Sequence, residues 1–516
     1  MKKFLSLKRA AALCLAVCMI AGLLAGCGGG SSSDTSDGGA AAEVDTSTLT
    51  VALTSEPDYL STCDHDSLMG VQMNLLTYNG LMRIDMETLE PVCDLAESYT
   101  QDSDTEWTFT LKQGVKFHNG DDFTADDVVA SIEYAQTFPA STTYTGAIAS
   151  VEAVDPYTVK ITTASPTPNL LYDLAYHYNF ILPKSLIESG NDFSANPVGT
   201  GPYKLAEWNK GNTITFEAFD EYFDEARKAS IPTLEFAIIP EGSTRTMSLE
   251  SGEVDFVYSV ASSDIERLQS TEGISVTDVV SVENFFLYLN CVTTDFADEN
   301  LRKAIAYGIN REDIVAGALN GFGTPSYSCV SMGYSESTDE NAYTYDPELA
   351  QQYLDAWGGD PSTVSLDIIC SNDTKTAIAT IIQAELAELG INVNIEETDD
   401  ATYQAAMRTT DLTSAIVSWS PANAMTYVQR FHSDRRNQTP ACLVDETMDA
   451  MVEEMNVTMD DAARSEMITD IIAYANEICP FVPIYQVNYY RAYNSALQNV
   501  VCSATGYVDF CTMSWS

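Results

Sequence analysis

The chain has 516 residues, with 75 acidic against 25 basic side chains and a formal net charge of −50. Such acidity repels phosphate, which disfavours nucleic acid and anionic lipid surfaces as partners, and it keeps a chain soluble. The length exceeds one ordinary core, so two or three lobes are expected.

At the N-terminus Lys2, Lys3, Lys8 and Arg9 precede an apolar run from Ala10 to Leu24. The run is too short and wrongly flanked for a permanent membrane span, and residues 1–26 read as a secretory signal. It ends in Leu24-Ala25-Gly26-Cys27, which resembles the bacterial lipobox and implies lipidation of Cys27. One acyl chain, at about 0.8 kcal/mol per buried CH₂, holds only reversibly, whereas a diacylglyceryl group supplies two chains and a lasting anchor. Removing the four basic residues of the signal takes the formal charge from −50 to −54. Residues 27–45, opening with three glycines and three serines after Cys27, bury too little apolar surface to order and read as a flexible tether, with a reach of roughly 25 Å.

In the following body, Trp107, Phe109 and Leu111 alternate inward. Gly114 breaks the run, Val115 and Phe117 alternate again, and Asn119-Gly120 supplies turn chemistry, so a hairpin is expected. Thr124 then caps a helix, with Asp127 at its third position echoing a capping box and Val128, Ile132 and Ala135 facing inward. Asp298 precedes a helix carrying Leu301, Ile305 and Ile309, and Asn310 caps the next. Asp346-Pro347 stands as cap and first helical residue before Leu349, Tyr353, Leu354 and Trp357. Between Asp373 and Thr398 a helix with Ile378, Ile381, Ile382, Leu386 and Leu389 ends at Gly390. Ile391, Val393 and Ile395 then alternate as a strand. This alternation of helix and strand is α/β architecture.

Acidic pairs such as Asp121-Asp122, Asp126-Asp127, Asp399-Asp400 and Asp460-Asp461 read as solvated faces. Acid–base work would need one carboxyl raised in a cleft. Beyond Cys27 the cysteines are Cys63, Cys93, Cys291, Cys329, Cys370, Cys442, Cys479, Cys502 and Cys511, an odd number without CxxC spacing. Either most are buried as small apolar residues or the organism lives without oxygen. No GxSxG, HExxH or GxxxxGK[ST] motif occurs, and His65, His118, His177 and His432 are scattered. No enzyme, metal site or cofactor is expected.

The stretch Trp107 to Gly120, continuing to Val128, closely resembles the signature of bacterial extracellular solute-binding proteins of family 5, the peptide and nickel receptors of ABC importers. Asn196-Pro197-Val198-Gly199-Thr200-Gly201-Pro202-Tyr203, Ser251-Gly252-Glu253-Val254-Asp255, the run Leu301 to Arg311, and Tyr345-Asp346-Pro347-Glu348 match further stretches in the same order. The resemblance implies a periplasmic-binding-protein-like fold of type II, with two lobes, a hinge, an interlobe ligand cleft and an extra small domain. It implies a first lobe of residues 46–80, 199–283 and 484–516, a small domain of residues 81–198, and a second lobe of residues 284–483. Trp107, Gly199 and Gly201 are expected as core and backbone-geometry residues, the glycines through tight turns and positive φ.

Ligand-facing groups in the family lie after the Gly-Glu-x-Asp motif, at the hinge crossings and after a tryptophan step. They correspond here to Tyr258, Ser259, Asn284, Phe285 and Trp419, with core packing the competing role for each. The family's peptide receptors usually carry an aspartate after that tryptophan, to pair with the peptide amine. This chain reads Trp419-Ser420-Pro421-Ala422-Asn423-Ala424-Met425, without a carboxylate. Another acid reaches the site, or the amine meets Asn423 and backbone carbonyls, or the ligand lacks a free N-terminus. Ser420 and Asn423 join the candidates, as do Arg408 for a ligand carboxylate, with a surface arginine as its alternative, and Tyr485 on the return to the first lobe. The resemblance implies a monomeric lipoprotein on the outer face of a Gram-positive cell membrane that gives peptides to an ABC permease. A non-peptide solute, such as an oligosaccharide or metal chelate, and a tethered sensor are the other readings.

Overall fold

The computed structural model describes residues 46–63, 67–292, 294–407, 409, 412–434 and 443–516, so Cys27, the signal and tether, His65, Arg408 and Cys442 lie outside the described residues. Within Thr46–Ser516 the principal elements begin with β1 (Thr48–Leu53) and α1 (Leu68–Thr77). A separate sheet follows, built from β2 (Ala96–Ser103), β3 (Glu106–Leu111), β4 (Ile148–Asp155) and β5 (Thr158–Thr163), with α2 (Ala125–Ala135) against it. The chain then adds β6 (Tyr203–Asn209), β7 (Thr213–Ala218), β8 (Thr233–Ile238) and β9 (Phe256–Val257) beside β1. It crosses on β10 (Ile274–Leu289). Beyond the crossing come α3 (Glu299–Gly308), α4 (Arg311–Ala318), α5 (Pro347–Trp357), β11 (Ser365–Cys370) and α6 (Asp373–Glu388). Next are β12 (Asn392–Glu397), β13 (Ser414–Trp419) and α7 (Ala424–Val428), and the chain returns on β14 (Val482–Asn494).

One eleven-stranded mixed sheet runs in the order β12-β11-β13-β10-β14-β9-β1-β8-β7-β6, and its eleventh strand, the short Thr324–Pro325, pairs with β14 off this path. Its two halves belong to different lobes and meet at β10 and β14, long antiparallel strands that pass through both. Their first-lobe ends pair from Ile274 with Asn494 to Val280 with Asn488, and their second-lobe ends from Asn284 with Gln486 to Leu287 with Val482. Between Val280 and Asn284 the register slips, an irregularity of the β-bulge kind that bends and twists a strand locally.

Each part has its own apolar cluster. Val51, Phe216, Phe236, Phe256 and Phe510 centre the first lobe, Trp107, Phe109, Phe117, Phe123 and Ile132 the small sheet, and Phe286, Ile305, Leu366, Ile382 and Phe481 the second lobe. Full burial of such side chains stabilises by about 1.5–3 kcal/mol each. The small sheet is ordered β2-β3-β5-β4 and is entirely antiparallel.

The expected caps form. Asp298, Asn310 and Asp346 each accept a backbone N–H at the start of their helices, and Gly390 takes φ +77° after α6. The expected hairpin after Trp107 does not form as a ladder. Both edges of β3 are taken by β2 and β5, so Val115 to Phe117 retain a single bridge, between Lys116 and Asp122. Gly120, at φ +88°, makes the turn. Gly199 and Gly201 differ from expectation in mechanism. Neither is among the positive-φ glycines. A Cβ at either would overlap the backbone of Thr77 at the end of α1. Close approach of two backbones, which positive φ does not address, is what requires glycine there.

The cysteines resolve one alternative. All eight described ones are free thiols, six of them buried and Cys93 and Cys502 half-buried. They serve as small apolar side chains.

Candidate functional site

The junction of the lobes is floored by β10 and β14. Phe285 and Tyr485 are cross-strand partners and their rings stack, with centroids 4.6 Å apart and planes 14° from parallel. Two strand positions before Phe285, Glu283 turns its carboxylate to the Ser418 hydroxyl, which donates at 2.8 Å from β13. On the first-lobe side Tyr489 bonds to the Ser281 and Glu283 side chains, and burial and that carboxylate push its hydroxyl up to about 12. Burial also raises the Glu283 carboxyl, while the Ser418 and Tyr489 hydroxyls and the charge of Lys375 act the other way.

Arg491 lies between two tyrosines, its guanidinium carbon 4.4 Å from the ring centre of Tyr258 and 5.1 Å from that of Tyr489. Its Nη2 donates to the Gly506 carbonyl at 2.9 Å, and the Tyr258 hydroxyl donates to the same oxygen at 2.7 Å. This layer fixes the loop carrying Thr505 and Tyr507. Those two residues, with Val71 and Leu75 of α1, Arg83 and His177 of the small domain, and Ala422 of the second lobe, border a largely apolar cavity of about 70 Å³. All three parts of the body meet at it. A second hollow of about 420 Å³ on the first lobe is bordered by Glu56, Asp58, Ser67, Tyr258 and Ser259. The Glu56 carboxylate accepts from the Trp208 indole and the Gly211 amide, and the amide contact leads in holding it below the usual range.

The small domain touches the second lobe directly. Asn423 caps α7 through the Thr426 amide, and its Nδ2 donates to Asn169 Oδ1 at 3.0 Å. A cavity of about 380 Å³, bordered by Tyr172, Glu336, Asn423, Met425 and Arg464 among others, lies at that contact.

The candidate residues therefore fall into different settings. Phe285 and Tyr485 lie together on the floor, Ser259 is exposed on the first lobe, and Ser420 is exposed after β13. Tyr258 is buried beneath the first-lobe hollow and braces Arg491. Asn284 and Trp419 are cross-strand partners turned into the second-lobe core. Asn284 Nδ2 donates to the Ser328 carbonyl, and Trp419 packs edge-on against Phe286, Tyr427 and Phe481. Their packing role follows from strand alternation, since Glu283 and Phe285 take the opposite face. Arg408 is outside the described residues.

Glu283, Tyr489 and Arg491 were not among the sequence candidates. Glu283 had a legible signal, as the single charge between Val279 and Thr294; a lone acid within a buried strand is seldom only structural. Among the described residues no group of three or more histidine, cysteine or acidic side chains is placed to hold a metal. No described helix is long and apolar enough to cross a membrane.

Comparison with known proteins bears on this geometry. The model of bacterial extracellular solute-binding proteins, family 5 Middle, matches residues 90–439. The glutathione-binding protein GsiB of Escherichia coli O157:H7 is 30% identical over 332 residues, which are 62% of this chain and 64% of that protein. GsiB of Salmonella typhi is 29% identical over 330 residues, with the same shares. The chain thus spans about 64% of the length of the curated relatives it matches. Among solved structures, HbpA2 from Haemophilus parasuis superposes with a TM-score of 0.82 at 22% identity, covering 91% of this chain and 100% of that one. The binding protein AgaA of A. tumefaciens R10, in complex with agropinic acid, gives 0.74 at 25% identity over 91% and 99%. DppA from Helicobacter pylori, in complex with the peptide STSA, gives 0.74 at 22% over 91% and 98%.

Proposed function

Since the chain belongs to family 5 of the bacterial extracellular solute-binding proteins, a family of substrate-binding transport components, we propose that it captures short peptides between its lobes and delivers them to an ABC permease. The observation that carries this reading is the junction itself. Two strands run unbroken through both lobes, and an aromatic stack lies where they cross. Stacked rings offer large contact area at small entropic cost, which suits a site that holds varied side chains. The names of GsiB and of the peptide-bound DppA agree with a peptide or peptide-like solute. In this reading residues 46–80, 199–283 and 484–516 close against 284–483, residues 81–198 form the side domain, and Cys27 anchors a monomer outside the membrane. Ser259, Phe285, Ser420 and Tyr485 contact the ligand, whereas Tyr258, Asn284, Trp419 and Asn423 hold the walls.

A screen of the Thr46–Ser516 protein against free peptides, N-acetylated peptides and sugars tests this, because a solute bound only by the folded state raises the unfolding midpoint. At one hundred times Kd the gain is about 2.7 kcal/mol. Peptides are expected to give the shifts, and a response to sugars alone would overturn the peptide assignment. The missing carboxylate between Ser420 and Met425 and the agropinic acid complex of AgaA favour a non-peptide solute as the second reading. Deleting the gene and following growth on the bound solute separates feeding from sensing.

A further inference from the structure

Among the described residues Glu283 has no ion-pair partner, in a place built to meet one. It sits in the register slip of β10, the one short stretch where the strand leaves its first-lobe pairing and has not yet taken up the second. Its side chain touches Ser418 on the second-lobe side and Tyr489 on the first. Among the described residues no lysine, arginine or histidine comes within ion-pair distance of it. Lys375, whose charge reaches it, lies with its ammonium 3.8 Å over the Tyr403 ring. Burial raises its carboxyl more than its hydroxyl partners lower it, so ionisation carries a partly compensated cost that a cation would relieve.

The surroundings favour one kind of cation. The Phe285–Tyr485 stack begins two positions along the strand, and Tyr489 stands on the other side. Aromatic faces attract ammonium groups and exclude the water that would screen the charge. Tyr489 in turn packs on Gly506, where a Cβ would meet its ring at 3.1 Å. The neighbours of that glycine, Thr505 and Tyr507, border the cavity shared by all three parts. The net charge of −50 adds a long-range field of the same sign.

We propose that Glu283 is the counter-charge that selects solutes bearing a protonated amine, with Phe285, Tyr485 and Tyr489 walling the ammonium. This rests on the reading of the interlobe junction as a peptide site, and it makes the amino terminus the recognised end.

The test uses the Thr46–Ser516 protein and tri-, tetra- and penta-alanine, each with a free and an N-acetylated amino terminus, titrated calorimetrically. Wild type is expected to prefer the free amine by at least about tenfold, since leaving a buried charge unpaired is costly. Glu283→Gln, nearly isosteric and able to keep the Ser418 contact, is expected to lose that preference through weaker binding of the free forms alone. Unchanged affinity of Glu283→Gln for the free forms overturns the assignment of Glu283 while the peptide reading stands. Failure of wild type to bind any of the six overturns both. Should Glu283→Gln not fold, Glu283→Asp keeps the charge and withdraws it by one methylene. A reduced preference for the free amine then supports the assignment, and an unchanged one rejects it.

Discussion

His118 is held between two backbone groups of the Gly199-Thr200-Gly201 turn. Its Nε2 lies 2.9 Å from the Gly201 carbonyl, and its Nδ1 faces the Gly199 amide at 3.5 Å. A neutral ring protonated at Nε2 satisfies both, whereas the charged ring would set a donor against a donor. Burial lowers its pKa from 6.5 to about 4. A depressed folded-state value means that the unfolded chain binds the proton first. The stability from His118 is therefore complete above about pH 6.5 and is lost as pH falls from there towards 4, to a limit of about 3 kcal/mol. Urea unfolding at pH 7 and pH 4.5 is expected to show a smaller acid loss in His118→Gln than in wild type. Equal losses in the two proteins would contradict it. In the sequence this histidine stands next to the Asn119-Gly120 turn, and its two glycine partners are expected as backbone-geometry residues. The sequence did not reveal that those glycines answer to Thr77, because close approach is a property of two distant segments. Glu283 stood out in the sequence as the lone charge of its stretch, but its partner Ser418, 135 residues away, did not.

Elements were legible wherever their signals were local. The start of α2 is an example. The Asp127 carboxylate accepts from the Thr124 amide at 2.8 Å and from its hydroxyl at 3.0 Å, closing the capping box. Its other oxygen accepts the Lys184 amide at 2.9 Å, a contact 57 residues off that no capping rule foresees. Asp127→Ala leaves these donors without their acceptor, and a loss of about 1–3 kcal/mol is expected in denaturant unfolding, larger than an ordinary cap. A change within about 0.5 kcal/mol would mean that water replaces the carboxylate freely. Strands were less legible than helices for a reason visible at β3. Alternation at Trp107, Phe109 and Leu111 predicted a strand and its buried face correctly, but alternation does not say which neighbours pair. Val115 and Phe117 alternate because they pack beneath the small sheet, where Phe117 meets Phe123 edge-on at 6.2 Å.

For the molecule as a whole, the family signature gave the two-lobed fold, since its stretches are spread along the body in one order. Which face of its strand each candidate takes was much less legible. Phe285 and Asn284 are adjacent in sequence, yet strand alternation stacks one on Tyr485 and turns the other to the Ser328 carbonyl. At the far rim, Asn423 joins the second lobe to the small domain through Asn169. Asn423→Ala removes both that bridge and the cap of α7, and a stability loss of about 1 kcal/mol is expected from the cap alone. Asn169→Ala removes only the bridge. If the bridge helps to hold the closed form, both variants will bind a peptide more weakly, and weaker binding in Asn423→Ala alone would assign the effect to the helix.

β10 and β14 carry their ladder past the boundary with two register slips, one between Val280 and Asn284 and one between Phe285 and Phe286. A ribbon of two strands yields readily to torsion and resists sliding, because sliding would break its rungs together. A rotation of one half against the other would take its axis along that ribbon, and the slips beside Glu283 and Phe285 are where the ladder is already broken.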